Sequence, residues 1–135
     1  MTRPAAGVVL DHTALSLLGR GHRFLSALVA GPAHRVSGRH VYVPALCLAA
    51  AVADRPAVGE HVLALPAVDV VGLGPAHALA VGLLLAERTP WQFGHAVAVC
   101  RPDAEWPTGR PVVTAEPGRY ATHHIDVIPV SDERT

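Results

Sequence analysis

The sequence lacks lysine altogether, so histidine apart, every cationic side chain is an arginine. Eleven arginines balance eleven aspartates and glutamates, which leaves a formal net charge of zero at pH 7. Bulk electrostatic attraction to nucleic acid is therefore disfavoured, because that attraction needs a net positive surface. A local patch is still compatible with these numbers. Arg20, Arg23, Arg35 and Arg39 lie near one another along the chain, where they form either a polyanion-binding patch or an ordinary solvated face.

Cysteine is also scarce. Cys47 and Cys100 are the two cysteines of the chain, and each lies alone in an apolar stretch. This is neither the density of a disulfide-stabilised secreted domain nor the close pairing of a zinc site. Asp11 interrupts the first apolar run, which argues against a secretory signal peptide. We therefore expect two buried free thiols in a cytoplasmic protein.

Long hydrophobic runs are missing too. No uninterrupted apolar segment reaches the roughly 18 residues that a membrane-spanning helix needs, so we expect no membrane association. The two most apolar segments are ALCLAAAVA (45–53) and ALAVGLLLA (78–86). Both are predicted to be buried helices.

What the sequence does contain is a regular alternation of strand and helix patterns. Strands are predicted over 6–12, 39–44, 67–74, 111–115 and 125–130, and helices over 13–19, 22–31, 44–54 (with Pro44 in its first turn), 55–66, 76–89 and 90–101, with a short turn or helix near 116–124. Such alternation predicts a parallel sheet covered on both faces. The predicted fold class is therefore α/β, with one domain over 1–130, about five parallel strands flanked by helices, and a tail at 131–135.

Two acidic residues fall where the predicted strands end. Asp11 closes the first strand, and Glu116 follows the fourth strand. Ligands of open parallel sheets bind at the carboxyl ends of strands. These two carboxylates are therefore the first candidates for a functional site.

The order and spacing of five segments resemble the PIN-domain family, which includes the VapC-type toxin ribonucleases. The segments are VVLDHTAL, VYVPALCLAAAVA, FGHAVAV, PVVTAEPGRY and IDVIPV. The resemblance identifies Asp11 with the acid that ends the first strand and Glu116 with the acid after the fourth. Thr13 and Thr114 match the hydroxyl residues near those acids and are expected to lie on the substrate side. The resemblance implies a single PIN-like domain and a metal-dependent ribonuclease ancestry.

The chain departs from the family pattern at two acidic positions. Ala50 stands where the family has a glutamate, and His95 stands where it has an aspartate. Mg²⁺ prefers several oxygen ligands, so the loss of two carboxylates weakens any site for Mg²⁺ or Mn²⁺. Either His95 is an unusual catalytic ligand beside Asp11 and Glu116, holding a softer ion, or it bonds to Asp11 and fills the vacated space. The second arrangement would raise the pKa of His95.

Other suggestive residues have ordinary interpretations. His12 and the pair His123-His124 lack the spacing of a helical zinc pair. Trp91 and Trp106 are interpreted as core or dimer-contact residues rather than base-stacking platforms. Among the acids, those of the proline-containing loop at 101–110 could replace a missing ligand only if that loop folded inward.

Three functions are compatible with these residues. The favoured hypothesis is a degenerate PIN-like protein that hydrolyses weakly or not at all and binds RNA, DNA or a protein. The second is an active endoribonuclease that uses Mg²⁺ or Mn²⁺ with Asp11, His95 and Glu116, as the toxin of a toxin-antitoxin pair. The third is an interaction module, neutralised by an antitoxin-like protein or forming a homodimer through an apolar helix.

Overall fold

The computed structural model of the chain describes residues 6–30 and 39–132. Within these ranges the elements are β1 (Ala6–Leu10), α1 (His12–Gly19), α2 (Arg23–Val29), β2 (Arg39–Pro44), α3 (Ala45–Asp54), α4 (Ala57–Leu63), β3 (Val68–Val71), α5 (Pro75–Ala86), α6 (Trp91–Cys100), β4 (Val112–Thr114), a 3-10 helix (Pro117–Tyr120) and β5 (Val127–Pro129). Arg35 of the predicted cationic patch and residues 133–135 of the predicted tail lie outside the described residues.

The five strands form one parallel sheet in the order β3-β2-β1-β4-β5. Successive residues of a strand point to opposite faces of a sheet. Val112, Val113 and Thr114 of β4 are all completely buried, so both faces of the sheet are covered there. This arrangement confirms the predicted α/β class with a parallel sheet and helices packed around it.

The strand order makes the carboxyl ends of β1 and β4 the expected place for a ligand site. The chain builds outward from β1 through β2 to β3, and then returns to lay β4 on the other side of β1. At such a reversal of strand order, the connections leave the sheet in opposite directions and open a gap at the carboxyl ends. Asp11 follows β1 directly, and Thr114 is the last residue of β4.

Helix α5 differs from its prediction as a buried helix. Val81 and Leu84 are its buried residues, whereas Leu79 is 68% exposed and Leu83 is 60% exposed. Apolar residues all round a helix predict burial on every side, but in the described part of the chain this helix packs mainly against α6. The apolar surface of α5 is therefore presented to solvent.

The loop between α6 and β4 is held at the amino end of the sheet. The Arg110 guanidinium is buried and forms ion pairs with Asp103 (2.9 Å) and Glu105 (3.0 Å). It also stacks on the Tyr42 ring at 4.6 Å. The indole of Trp106 packs against Gly7 in β1, which makes Trp106 a packing residue as predicted. The two acids are engaged by Arg110, so neither replaces a missing ligand beside Asp11.

Candidate functional site

The site at the carboxyl ends of β1 and β4 begins with Asp11, whose position follows from the local sequence. The apolar run of β1 ends there, and Asp11 is the N-cap of α1. Its Oδ1 accepts hydrogen bonds from the Ala14 backbone N–H (3.0 Å) and the Thr13 hydroxyl (2.6 Å). A side-chain acceptor at the N-cap satisfies an N–H that the helix itself leaves unpaired. Asp11 is completely buried, so this acid is part of the interior.

The second oxygen of Asp11 is covered by Tyr120. The Tyr120 hydroxyl donates to Asp11 Oδ2 at 2.7 Å, and the tyrosine is 1% exposed. Burial, and then the negative charge of Asp11, raise the pKa of Tyr120, so the phenol keeps its proton. The edge of the Phe93 ring packs against Tyr120 with centroids 5.8 Å apart. The phenol thus lies where a ligand of the carboxylate would have to approach.

Thr13 and Thr114 join Asp11 in one hydrogen-bond network. Thr13 uses its single hydroxyl proton toward Asp11, so Thr114 must be the donor in the 3.2 Å contact between the two threonines. Thr13 Oγ1 also accepts from the Ala115 N–H at 2.9 Å, and Thr114 Oγ1 accepts from the Glu116 N–H at 3.0 Å. The network ties the start of α1 to the end of β4 and uses neutral donors throughout.

Glu116 contributes its backbone to this network, while its side chain faces solvent. The carboxylate is paired with Arg119 at 3.4 Å, and both side chains are about half exposed. An exposed pair of this kind stabilises the fold by little. The two acids expected from the resemblance therefore differ in their exposure. Asp11 is completely buried and hydrogen-bonded within the chain, and the Glu116 side chain is about half exposed to solvent.

His95 is bonded elsewhere. It is completely buried, and its Nδ1 accepts the Leu46 backbone N–H at 3.2 Å, which places the ring proton on Nε2. Nε2 faces the Gly72 carbonyl without forming a good hydrogen bond to the described residues. Burial, and then the neighbouring His77 with its ring 5.4 Å away, lower the pKa of His95 to about 4. The predicted bond to Asp11 and the predicted rise in pKa are both wrong, because His95 partners the start of α3.

The remaining candidates do not extend the site. Ala50 is buried on α3, and its methyl side chain has no atom that could bind a metal ion. Cys47 and Cys100 are free and buried, and burial raises the pKa of both thiols. The His12 ring packs on Phe93 with centroids 4.8 Å apart. Across residues 6–30 and 39–132, no group of three or more histidine, cysteine, aspartate or glutamate side chains could hold a metal ion.

The sequence analysis did not identify Tyr120, whose hydroxyl donates to Asp11 Oδ2. The segment EPGRYATHH was predicted only as a turn or short helix. It forms the 3-10 helix, which brings Tyr120 over the carboxyl ends of β1 and β4. The available signal was a lone tyrosine just beyond a strand end, where a buried phenol needs a hydrogen-bond partner.

Within the described ranges no helix is long and apolar enough to cross a membrane. Comparison of the chain with protein-family models, with curated proteins and with solved structures finds no match in any of the three.

Proposed function

We propose that the chain is a PIN-like domain, related to the VapC-type ribonucleases, that has lost most or all hydrolysis and acts by binding a partner in the cytoplasm. The observation that supports the proposal is the complete burial of the Asp11 carboxylate. Both of its oxygens are hydrogen-bonded within the chain, and none of its surface is exposed. A nuclease of this type needs that carboxylate free to hold a divalent ion.

The donor set does not fit Mg²⁺ or Mn²⁺ as it stands. Mg²⁺ needs near-octahedral oxygen coordination from accessible carboxylates and water. Asp11 is occupied by Tyr120, Thr13 and the start of α1, which leaves the half-exposed Glu116 as the one accessible carboxylate of the expected pair. His95, the third residue of the nuclease hypothesis, accepts a hydrogen bond from α3. This arrangement supports binding without hydrolysis over an active endoribonuclease.

The exposed leucines of α5 favour a protein as the partner. Leu79 and Leu83 lie one turn apart on the same side of the helix, and they are among its most exposed residues. Adjacent exposed leucines mark contact surfaces more often than scattered ones do. A second copy of this chain, or an antitoxin-like protein, would cover them by the same apolar contact, whereas RNA would not.

A cleavage assay tests the loss of hydrolysis. The protein is incubated with structured and single-stranded RNA in Mg²⁺ and in Mn²⁺, beside Asp11→Asn and the exposed-acid control Asp54→Asn. We expect no cleavage by any of the three. Cleavage that is present in the native protein and Asp54→Asn but absent in Asp11→Asn would contradict the proposal and establish the endoribonuclease.

The site can also be rebuilt as a positive control. The triple variant Ala50→Glu, His95→Asp, Tyr120→Phe restores two carboxylates and removes the hydroxyl that donates to Asp11 Oδ2. Metal-dependent cleavage by this variant alone is the expected result if the chain descends from a working nuclease. Circular dichroism of each variant establishes that it is folded before its activity is compared.

A further inference from the structure

A pocket of about 310 Å³ lies outside the hydrogen-bond network of Asp11. It is formed between the turn that follows α5 and the segment that contains the 3-10 helix. The polar side chains that line it are Arg88, Thr89, Arg119, Thr122 and His123, together with one carboxylate, Glu87. Two arginines from distant parts of the sequence therefore line one pocket.

Arg119 is oriented by the wall of this pocket. Its guanidinium lies over the Phe93 ring at 5.3 Å, and Phe93 itself lines the pocket. An aromatic face fixes the plane of an arginine while leaving its N–H groups free to donate. The pairing with Glu116 is long, at 3.4 Å, and half exposed, so a stronger anion can displace it.

Arg88 occupies a backbone conformation that favours glycine. Its φ is +69°, and it follows the C-terminus of α5, with the Arg88 N–H bonded to Leu85 and the Thr89 N–H bonded to Leu84, both at 2.9 Å. Helices commonly end with glycine at such a left-handed position, because a Cβ is strained there. An arginine that keeps this strain, with its side chain in a polar pocket, points to a role for the guanidinium.

We propose that this pocket binds the phosphate group of a ligand, held between the Arg88 and Arg119 guanidiniums. Planar guanidiniums match the oxygens of a phosphate and donate two hydrogen bonds each. The Thr89 and Thr122 hydroxyls supply neutral donors at the same surface. The volume has room for a phosphate and an attached sugar. This site does not depend on Asp11 or on hydrolysis, so it stands apart from the proposed function.

Calorimetric titration at low salt tests the proposal. The titrants are inorganic phosphate, uridine 5′-monophosphate against uridine, and a short single-stranded RNA with a 5′-phosphate against the same RNA with a 5′-hydroxyl. We expect binding to require the phosphate. A phosphate-dependent signal from the mononucleotide identifies a small-molecule ligand, and a signal from the phosphorylated RNA alone identifies an RNA end.

Two variants locate the site. Arg88→Gly and Arg119→Gln are each expected to weaken phosphate binding about tenfold, the loss typical of a charged hydrogen bond. Arg88→Gly also removes the strained backbone, so its melting temperature should rise by about 3 °C. Weaker binding by a more stable protein excludes unfolding as the cause. Arg55→Gln changes an exposed arginine outside the pocket and should bind as the native protein does.

Two results would overturn this assignment. One is the absence of saturable phosphate binding by the native protein at millimolar concentration and low salt. The other is an equal loss of affinity in Arg55→Gln and in the two pocket variants, which would show that phosphate is attracted by surface charge in general.

Discussion

Asp11 is the residue on which the proposed function depends, and its hydrogen bonds explain why its carboxylate does not bind a metal ion. A buried carboxylate is tolerated only when hydrogen bonds replace its lost hydration. Here the replacement comes from Thr13, Ala14 and Tyr120. The same bonds that make burial of the acid acceptable leave it without a free direction for a ligand.

Removing the Tyr120 hydroxyl should show how much its hydrogen bond to Asp11 contributes to the free energy of unfolding. Tyr120→Phe leaves Asp11 Oδ2 buried and without its donor, so the free energy of unfolding should fall by about 1.5–3 kcal/mol. Tyr42→Phe is the comparison. The Tyr42 hydroxyl donates to Glu105, whose side chain is 63% exposed, and accepts the Trp106 indole N–H at 2.9 Å, so it has two neutral or solvated partners and no buried carboxylate. Urea denaturation compares the two variants. A loss for Tyr120→Phe no larger than the loss for Tyr42→Phe would mean that the contact with Asp11 contributes no more than an ordinary tyrosine hydrogen bond.

His95 should make the protein sensitive to acid. Its pKa is about 4 when folded and 6.5 in its ordinary state, so the unfolded chain binds this proton more readily. The stability contributed by neutral His95 is complete above pH 6.5 and is lost as the pH falls toward 4. The full loss is roughly 3 kcal/mol.

The variant His95→Asn tests this dependence, because its amide oxygen can still accept the Leu46 N–H. Thermal unfolding measured from pH 7 to pH 4.5 should show a shallower decline for His95→Asn than for the native protein. His124→Asn changes an exposed histidine and should decline as the native protein does. Parallel declines in all three proteins would show that His95 is not the titrating group.

The turn before β4 tolerates no side chain at Gly109. Gly109 has φ +79°, and a Cβ there would lie 2.6 Å from the Cys100 carbonyl oxygen. That close approach is needed for the Arg110 N–H to bond to the same carbonyl at 2.9 Å. The turn thereby sets where β4 begins beside β1.

Gly109→Ala should therefore destabilise the protein by about 2 kcal/mol or more, from the strained φ and the collision together. Gly21→Ala separates the two effects, because Gly21 has a similar φ of +83° with open space around it. Only the backbone strain, about 1 kcal/mol, is expected for Gly21→Ala. If both substitutions cause the same loss in chemical denaturation, the collision with Cys100 has no energetic weight.

For the whole molecule, the exposed side of α5 should govern assembly. Replacing Leu79 and Leu83 by glutamine removes two exposed apolar side chains, so stability should change by less than about 0.5 kcal/mol. Light scattering should find a dimer for the native protein and a monomer for the double variant. A native monomer that the substitutions leave unchanged would contradict the homodimer and leave a different protein as the candidate partner.

The fold was predictable from the sequence because its signals are local. The valine-rich run that became β2 and the alanine-rich run that became α3 each show their own periodicity. β2 begins and ends where predicted, and α3 ends where predicted but begins at Ala45, one residue later, because Pro44 is its N-cap. Parallel pairing followed from the alternation of strands with helices. The end of β5 was less predictable, since prolines and single valines give a weak pattern.

The sequence by itself determined the α/β class, and it located Asp11 and Glu116 at or just beyond the ends of strands, because strand patterns and the residues that follow them are adjacent in the chain. Only the tertiary structure decided what those residues touch. Tyr120 reaches Asp11 across 109 positions, and His95 reaches Leu46 across 49. The exposure of α5 also depends on which neighbours pack against it. Residues so far apart in the sequence meet only when the complete core is packed, so the pattern of residues around each of them does not predict the contact.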